Sequence, residues 1–93
     1  MKPIILCCGT NGRAIVYGRV ESEPAPGESV TLYGARMVLY WSEACGGLFG
    51  LAATGPRKGC RVTEPVASVT ETKWQECLSV SEKSAKVFDG WDK

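Results

Sequence analysis

Short apolar runs alternate with glycine, proline and asparagine breaks along this chain, a pattern that reads as strands joined by turns. Pro3 to Cys8 is an apolar run. Asn11-Gly12 follows it as a two-residue hairpin signal, since such turns need positive φ. Ala14 to Val20 returns as a second strand, with Ile15, Tyr17 and Arg19 on one face and Ala14, Val16, Gly18 and Val20 on the other. The proline-broken acidic stretch Glu21 to Glu28 is expected to be a solvated loop. Ser29 to Tyr33 reads as a third strand, Gly34-Ala35 as a break, and Arg36 to Trp41 as a fourth strand. That fourth strand is apolar on both faces and is expected to be central and covered. Leu48 to Ala53 is read as a fifth strand, hairpin-paired with the fourth. Gly50 in its middle marks a bulge or a close backbone approach.

Beyond the loop Thr54 to Gly59, Cys60 to Val62 is expected to be a short edge strand. Val66 to Thr70 has a mixed pattern with no assigned partner. Lys73 to Leu78 is read as strand in preference to helix. Ser81 is placed as the N-cap of a helix running to about Phe88, with Val87, Phe88 and Trp91 folding back on the sheet. The sum is a mainly β (α+β) fold: a single small antiparallel sheet or partly open β-barrel with a short C-terminal helix. With 93 residues the expectation is one domain, residues 1–93, with a small core. Such a chain gains stability by forming a homo-oligomer. Trp41 is expected in the core, and Trp74 and Trp91 are expected to pack half-buried on the sheet.

Composition narrows the function classes. The net charge of +1 provides no broad basic face for DNA or RNA. No segment approaches the length of a membrane span. The apolar run Ile4 to Cys8 is too short for the core of an export signal, so it is read as a strand. Five cysteines, Cys7, Cys8, Cys45, Cys60 and Cys77, form an odd set with one vicinal pair. That fits free thiols in a reducing cytoplasm. There is no CxxC pair and no histidine, so buried cysteines acting as small hydrophobes are preferred over zinc, and no metal or cofactor is expected. On a strand, Cys7 and Cys8 point to opposite faces, so one of them at most is expected in the core.

The missing histidine also removes the commonest general base and the usual nucleophilic triads. Cys60 is the one cysteine closely flanked by cations, Lys58 and Arg61, which is the sequence basis for a cysteine-dependent activity. The stronger candidate is a binding loop. Gly55 to Arg61 combines glycines, whose N–H groups form anion-holding nests, with Arg57, Lys58 and Arg61. Tyr40 or Trp41 offers a stacking face for a base. GPRKG lacks the spacing and the Lys-Ser/Thr ending of a Walker motif. The candidate ligand-binding residues are Trp41, Arg57, Lys58, Gly59 and Arg61. The competing reading is a tight loop with solvated cations.

The pattern ARMVLYW, then GLFGLAATGP, then GCR, then PVASVTETKW resembles a family of small uncharacterised phage and prophage proteins, over roughly Val30 to Trp91. The resemblance implies a small accessory protein acting in the cytoplasm of a bacterial host cell. It implies action by binding: blocking a host protein, or sequestering a nucleotide-like small molecule, as an antagonist of host defence. The alternatives are a structural component of a phage particle and a cysteine-dependent enzyme. The family supplies no residue roles.

Overall fold

A computed structural model describes residues 1–9 and 11–92. The described elements are β1 (Lys2–Cys8), β2 (Ala14–Val20), β3 (Val30–Tyr40), a 3₁₀ turn (Glu43–Cys45), α1 (Gly47–Thr54), β4 (Arg61–Val62), β5 (Val66–Glu71), β6 (Trp74–Ser79) and α2 (Glu82–Asp89). The strands form one six-stranded antiparallel sheet in the order β4-β3-β2-β1-β6, with β5 beside β4 on the same edge of β3. The sheet is not closed into a barrel.

One connection dictates its shape. β5 pairs with β3 and β6 with β1, so the two strands sit on opposite edges, four strand positions apart. In a flat sheet that is about 19 Å sideways. Glu71 lies opposite Val30 and Trp74 opposite Cys8, at opposite ends of the sheet as well. Yet only Thr72 and Lys73 join them, a link that spans about 11 Å when fully stretched. The sheet therefore coils until these diagonal corners meet. The Trp74 indole N–H donates to Glu28 O across the seam at 2.7 Å.

Coiling gives the sheet two buried faces. The concave side holds Ile4, Leu6, Cys8, Val16, Val20, Val30, Leu32 and Ala35, with Val69, Trp74 and Cys77 packed against them. Gly18 lies on this side because a Cβ there would stand 2.7 Å from Leu32 Cβ. The convex side holds Ile5, Cys7, Ile15, Tyr17 and Val38 under the helices, which contribute Leu51, Ala52, Ala85 and Phe88. Cys7 and Cys8 do point to opposite faces, but both are buried because both faces are covered. The expectation that one at most would join the core is corrected on that ground.

Most strand expectations hold, with four revisions. The expected third and fourth strands are one continuous strand. Gly34, at φ +60°, forms a bulge opposite Gly18 that bends β3 without ending it. Leu48 to Ala53 is helix, not strand. Leu48, Leu51 and Ala52 fall at helical spacing and face the convex core, whereas strand alternation would bury Phe49, which is 72% exposed. The C-terminal half of β3 is covered on one face only: Arg36 and Val38 are buried, while Met37, Leu39 and Tyr40 are exposed. The first hairpin turns through residues 9–13, longer than the two-residue turn expected from Asn11-Gly12, and Thr10 lies outside the described residues. Val66–Glu71 and Trp74–Ser79 are strands, and Ser81 caps α2 by accepting from Ser84 N–H at 3.0 Å.

The C-terminal helix is fastened to the convex face by named contacts. The Tyr17 and Phe88 rings stack at 4.3 Å. The Tyr17 hydroxyl and Arg19 both donate to the Asp89 carboxylate, at 2.9 and 2.7 Å. Arg36 is buried and has no ion pair among the described residues. Its guanidinium donates to Thr63 O, Phe88 O and Trp91 O at 2.8, 2.7 and 2.8 Å. Phe88 O belongs to the last turn of α2, the negative end of the helix dipole, so a cation is stabilised there. Replacing Arg36 by Ala strands these carbonyls and opens a cavity, an expected loss of about 3 kcal/mol. The melting temperature should fall by roughly 15 °C. A melting curve that overlays the parent's would refute this role.

Candidate functional site

The candidate site is built around Ser42, just after β3 and Trp41. Its carbonyl accepts from the Cys45 N–H at 3.2 Å and from the Cys45 thiol at 3.1 Å, closing the 3₁₀ turn. Its hydroxyl donates to Lys58 O at 3.0 Å and lies 3.9 Å from Cys60 Sγ. Residues 57–60 form a tight turn, closed by Cys60 N–H donating to Arg57 O at 2.9 Å. Gly59 takes its third position at φ +97°, a conformation that favours glycine. A Cβ on Gly59 would also stand 3.2 Å from Ser42 Cβ, so the turn lies close against the serine.

This arrangement displays the cations. Arg57, Lys58, Gly59 and Arg61 are all exposed. Among the described residues the salt bridges are Lys2–Glu23 and Arg19–Asp89, and none engages these three cations. Leu39, Gly59, Cys60, Arg61 and Val62 line a groove of 620 Å³. Within the turn, Cys60 N–H is spent on Arg57 O, and Arg57 N–H on Cys60 Sγ at 3.4 Å. The expected backbone anion nest is therefore partly used up, and anion binding here rests on side chains.

Of the five expected residues, Arg57, Lys58, Gly59 and Arg61 come together on this turn and the strand that follows it. Trp41 is near in sequence, but its ring packs half-buried against the convex core. Tyr40 takes the aromatic position instead: it lies directly opposite Arg61 in the β3–β4 pairing and is 58% exposed. The register that selects Tyr40 over Trp41 depends on where β4 pairs, which no local pattern encodes. Leu39 is a groove residue missed from sequence, for the same reason.

The thiols of the site differ. Burial pushes Cys45 up, and the neighbouring Cys60 adds to that shift. Burial also raises Cys60, but hydrogen bonding to its sulfur, foremost from Arg57 N–H at 3.4 Å, lowers it. The balance falls below the ordinary cysteine value. Elsewhere, burial with the Glu71 carboxylate close by pushes Cys8 up to about 12, and burial raises Cys7 and Cys77. Among the described residues no group of three or more Cys, Asp or Glu side chains stands together as a metal site, and no helix is long and apolar enough to cross a membrane.

The model of one family matches residues 1–88. The chain belongs to the family described as Domain of unknown function (DUF6948). The DUF6948 match takes in the β1–β2 hairpin as well as the Tyr40 to Arg61 segment, and it stops short of Trp91. No curated protein and no solved structure matches the chain.

Gly50 is what allows the two halves of the site to meet. A Cβ there would lie 1.6 Å from Cys45 O, a backbone atom with little freedom to retreat. The close backbone approach expected at Gly50 is thus present, but within a helix. Alanine is the better helix former by about 1 kcal/mol. Overpacking against fixed backbone costs more, so Gly50→Ala should destabilise the protein by about 2 kcal/mol net. It should also make Cys45 more reactive toward thiol reagents as the 3₁₀ turn is pushed away. A variant at least as stable as the parent, with unchanged Cys45 labelling, would contradict this packing.

Proposed function

We propose that this DUF6948 chain is a non-enzymatic binding protein whose contact surface is the Arg57-Lys58-Gly59 turn with Arg61 and Tyr40. The observation that carries the reading is the set of three exposed cations, in no salt bridge among the described residues, beside an exposed aromatic and a groove. The ligand class it suits is a nucleotide-like anion. Arg57 and Arg61 hold phosphate through charge-assisted hydrogen bonds, and Tyr40 stacks on the base. The biological setting we infer, from the sequence resemblance, is that of a small phage-type accessory protein in the bacterial cytoplasm. There it antagonises host defence by sequestering such a ligand or by blocking a host protein.

A panel of nucleoside mono-, di- and cyclic phosphates titrated by calorimetry tests this reading. One member should bind, and Arg57→Ala/Arg61→Ala should weaken it by about 100-fold, the value of two charge-assisted contacts. The variant's circular dichroism should stay unchanged, because both side chains are exposed. Unaltered affinity in the folded double variant would sink the assignment.

A second reading, a structural component of a phage particle, is favoured by a different surface. Met37 and Val66 are exposed and, with Val16, Ala35 and Val69, line a mostly apolar groove of 360 Å³ between β3 and β5. It requires self-association. Light scattering should then give a mass that rises with concentration, and Met37→Lys should lower it. A monomer throughout would rule this reading out.

A further inference from the structure

Cys45 and Cys60 sit on either side of Ser42, far apart in sequence but brought together by α1, which turns the chain back on itself between them. The Cys45 thiol donates to Ser42 O at 3.1 Å, while Cys60 Sγ is 3.9 Å from Ser42 Oγ. Each thiol lies near enough to the other to influence its titration. Both belong to the convex core and both are reduced. They differ in access: Cys60 lines the 620 Å³ groove beside Arg61, and Cys45 does not.

We propose that Cys45 and Cys60 are a dithiol pair that a small anionic disulfide oxidises to an intramolecular disulfide, with Cys60 as the attacking sulfur and Cys45 as the resolving one. The groove gives a small disulfide a route to Cys60, and Arg57, Lys58 and Arg61 around it favour an anionic one. The hydrogen bond that Arg57 N–H donates to the Cys60 sulfur at 3.4 Å favours the thiolate, which is the nucleophile. Cys45, kept protonated by burial, is suited to wait for the second step.

The Cys60 thiolate attacks one sulfur of R–S–S–R, that S–S bond breaks, and RS⁻ leaves and takes up the proton that Cys60 has released. The Cys45 sulfur then attacks Cys60 Sγ of the mixed disulfide, and the second RS⁻ leaves with the proton from Cys45. The two cysteines lose two electrons and two protons, and the oxidant becomes two RSH. The product clamps the cation-bearing turn to the 3₁₀ turn. The inference stands whether or not the groove binds a nucleotide, because it needs only entry of a disulfide.

The test is a titration of the whole protein with glutathione disulfide in glutathione buffers, followed by alkylation, tryptic digestion without reductant and mass spectrometry. Cleavage after Arg36, Arg57, Lys58 and Arg61 places Cys45 in Met37–Arg57 and Cys60 in Gly59–Arg61. The expected result is a disulfide linking those two peptides, formed before any other cysteine is modified. Cys45→Ser should instead accumulate glutathione on Cys60, and Cys60→Ser should leave Cys45 unmodified under the same conditions. The wild-type map needs no variant to fold. A link between any other cysteines, earlier modification of the more exposed Cys77, or a wholly reduced map at oxidising ratios that cross-link a reference dithiol would each overturn the proposal.

Discussion

The constraint on which this structure depends is the two-residue link between β5 and β6. Strands on opposite edges of a flat sheet cannot be joined by Thr72 and Lys73 alone, so the sheet must coil. Coiling removes a problem that a small chain otherwise has. A lone sheet of this size has one face to bury and one to leave wet, with a core too thin for stability. Here the concave face closes over Ile4, Leu6 and Leu32 with little help from helices, which frees both helices to cover the convex face. Two cores are thus obtained from one sheet. The vicinal cysteines fit because each core takes one of them.

The convex core is held by polar contacts as much as by area. Arg36 projects from β3 beneath α2 and gives its donors to carbonyls, where a carboxylate partner would be the commoner arrangement. A buried cation without a counter-charge is normally costly. It is tolerated here because the helix C-terminus supplies oriented oxygens that already carry partial negative charge. The same helix end places Asp89 where Tyr17 and Arg19 reach it. α2 is therefore fixed in rotation as well as in position. That in turn fixes α1, through Ser84 Oγ donating to Leu51 O and Ser81 Oγ donating to Ala53 O.

What could be read from the sequence follows from how local each signal is. The β1 and β2 faces, the Ser81 cap and the turn at Gly59 depend on alternation or on one residue's conformational preference, and the chain states these directly. Leu48 to Ala53 reads as a strand and is a helix, because an apolar segment of that length satisfies both periods. Phe49 decides it, and only after the structure shows it exposed. Gly34 signalled a break where the structure has a bulge, since both need the same backbone freedom. The candidate site was legible as a cluster of cations on a glycine turn. Its aromatic member was not, because it is the pairing of β4 with β3 that sets Tyr40 opposite Arg61, a non-local fact. Ser42, the residue that organises the site, carried no sequence signal at all.

Ser42 also shows why the charged and thiol features of this site cannot be treated separately. Its hydroxyl has one proton, and the short contact to Lys58 O claims it. Cys60 is then left with Arg57 N–H as its firm donor, and that N–H lies at the start of the turn that Cys60 itself closes. The turn that displays Arg57 and Lys58 is therefore held partly by the sulfur, and the sulfur's protonation is set partly by the turn. The carbonyl of Ser42 fastens Cys45 to the same point, and Gly50 leaves the space that lets it stay there. The cations, the groove and both thiols are held in register by one small residue whose carbonyl and hydroxyl are both engaged.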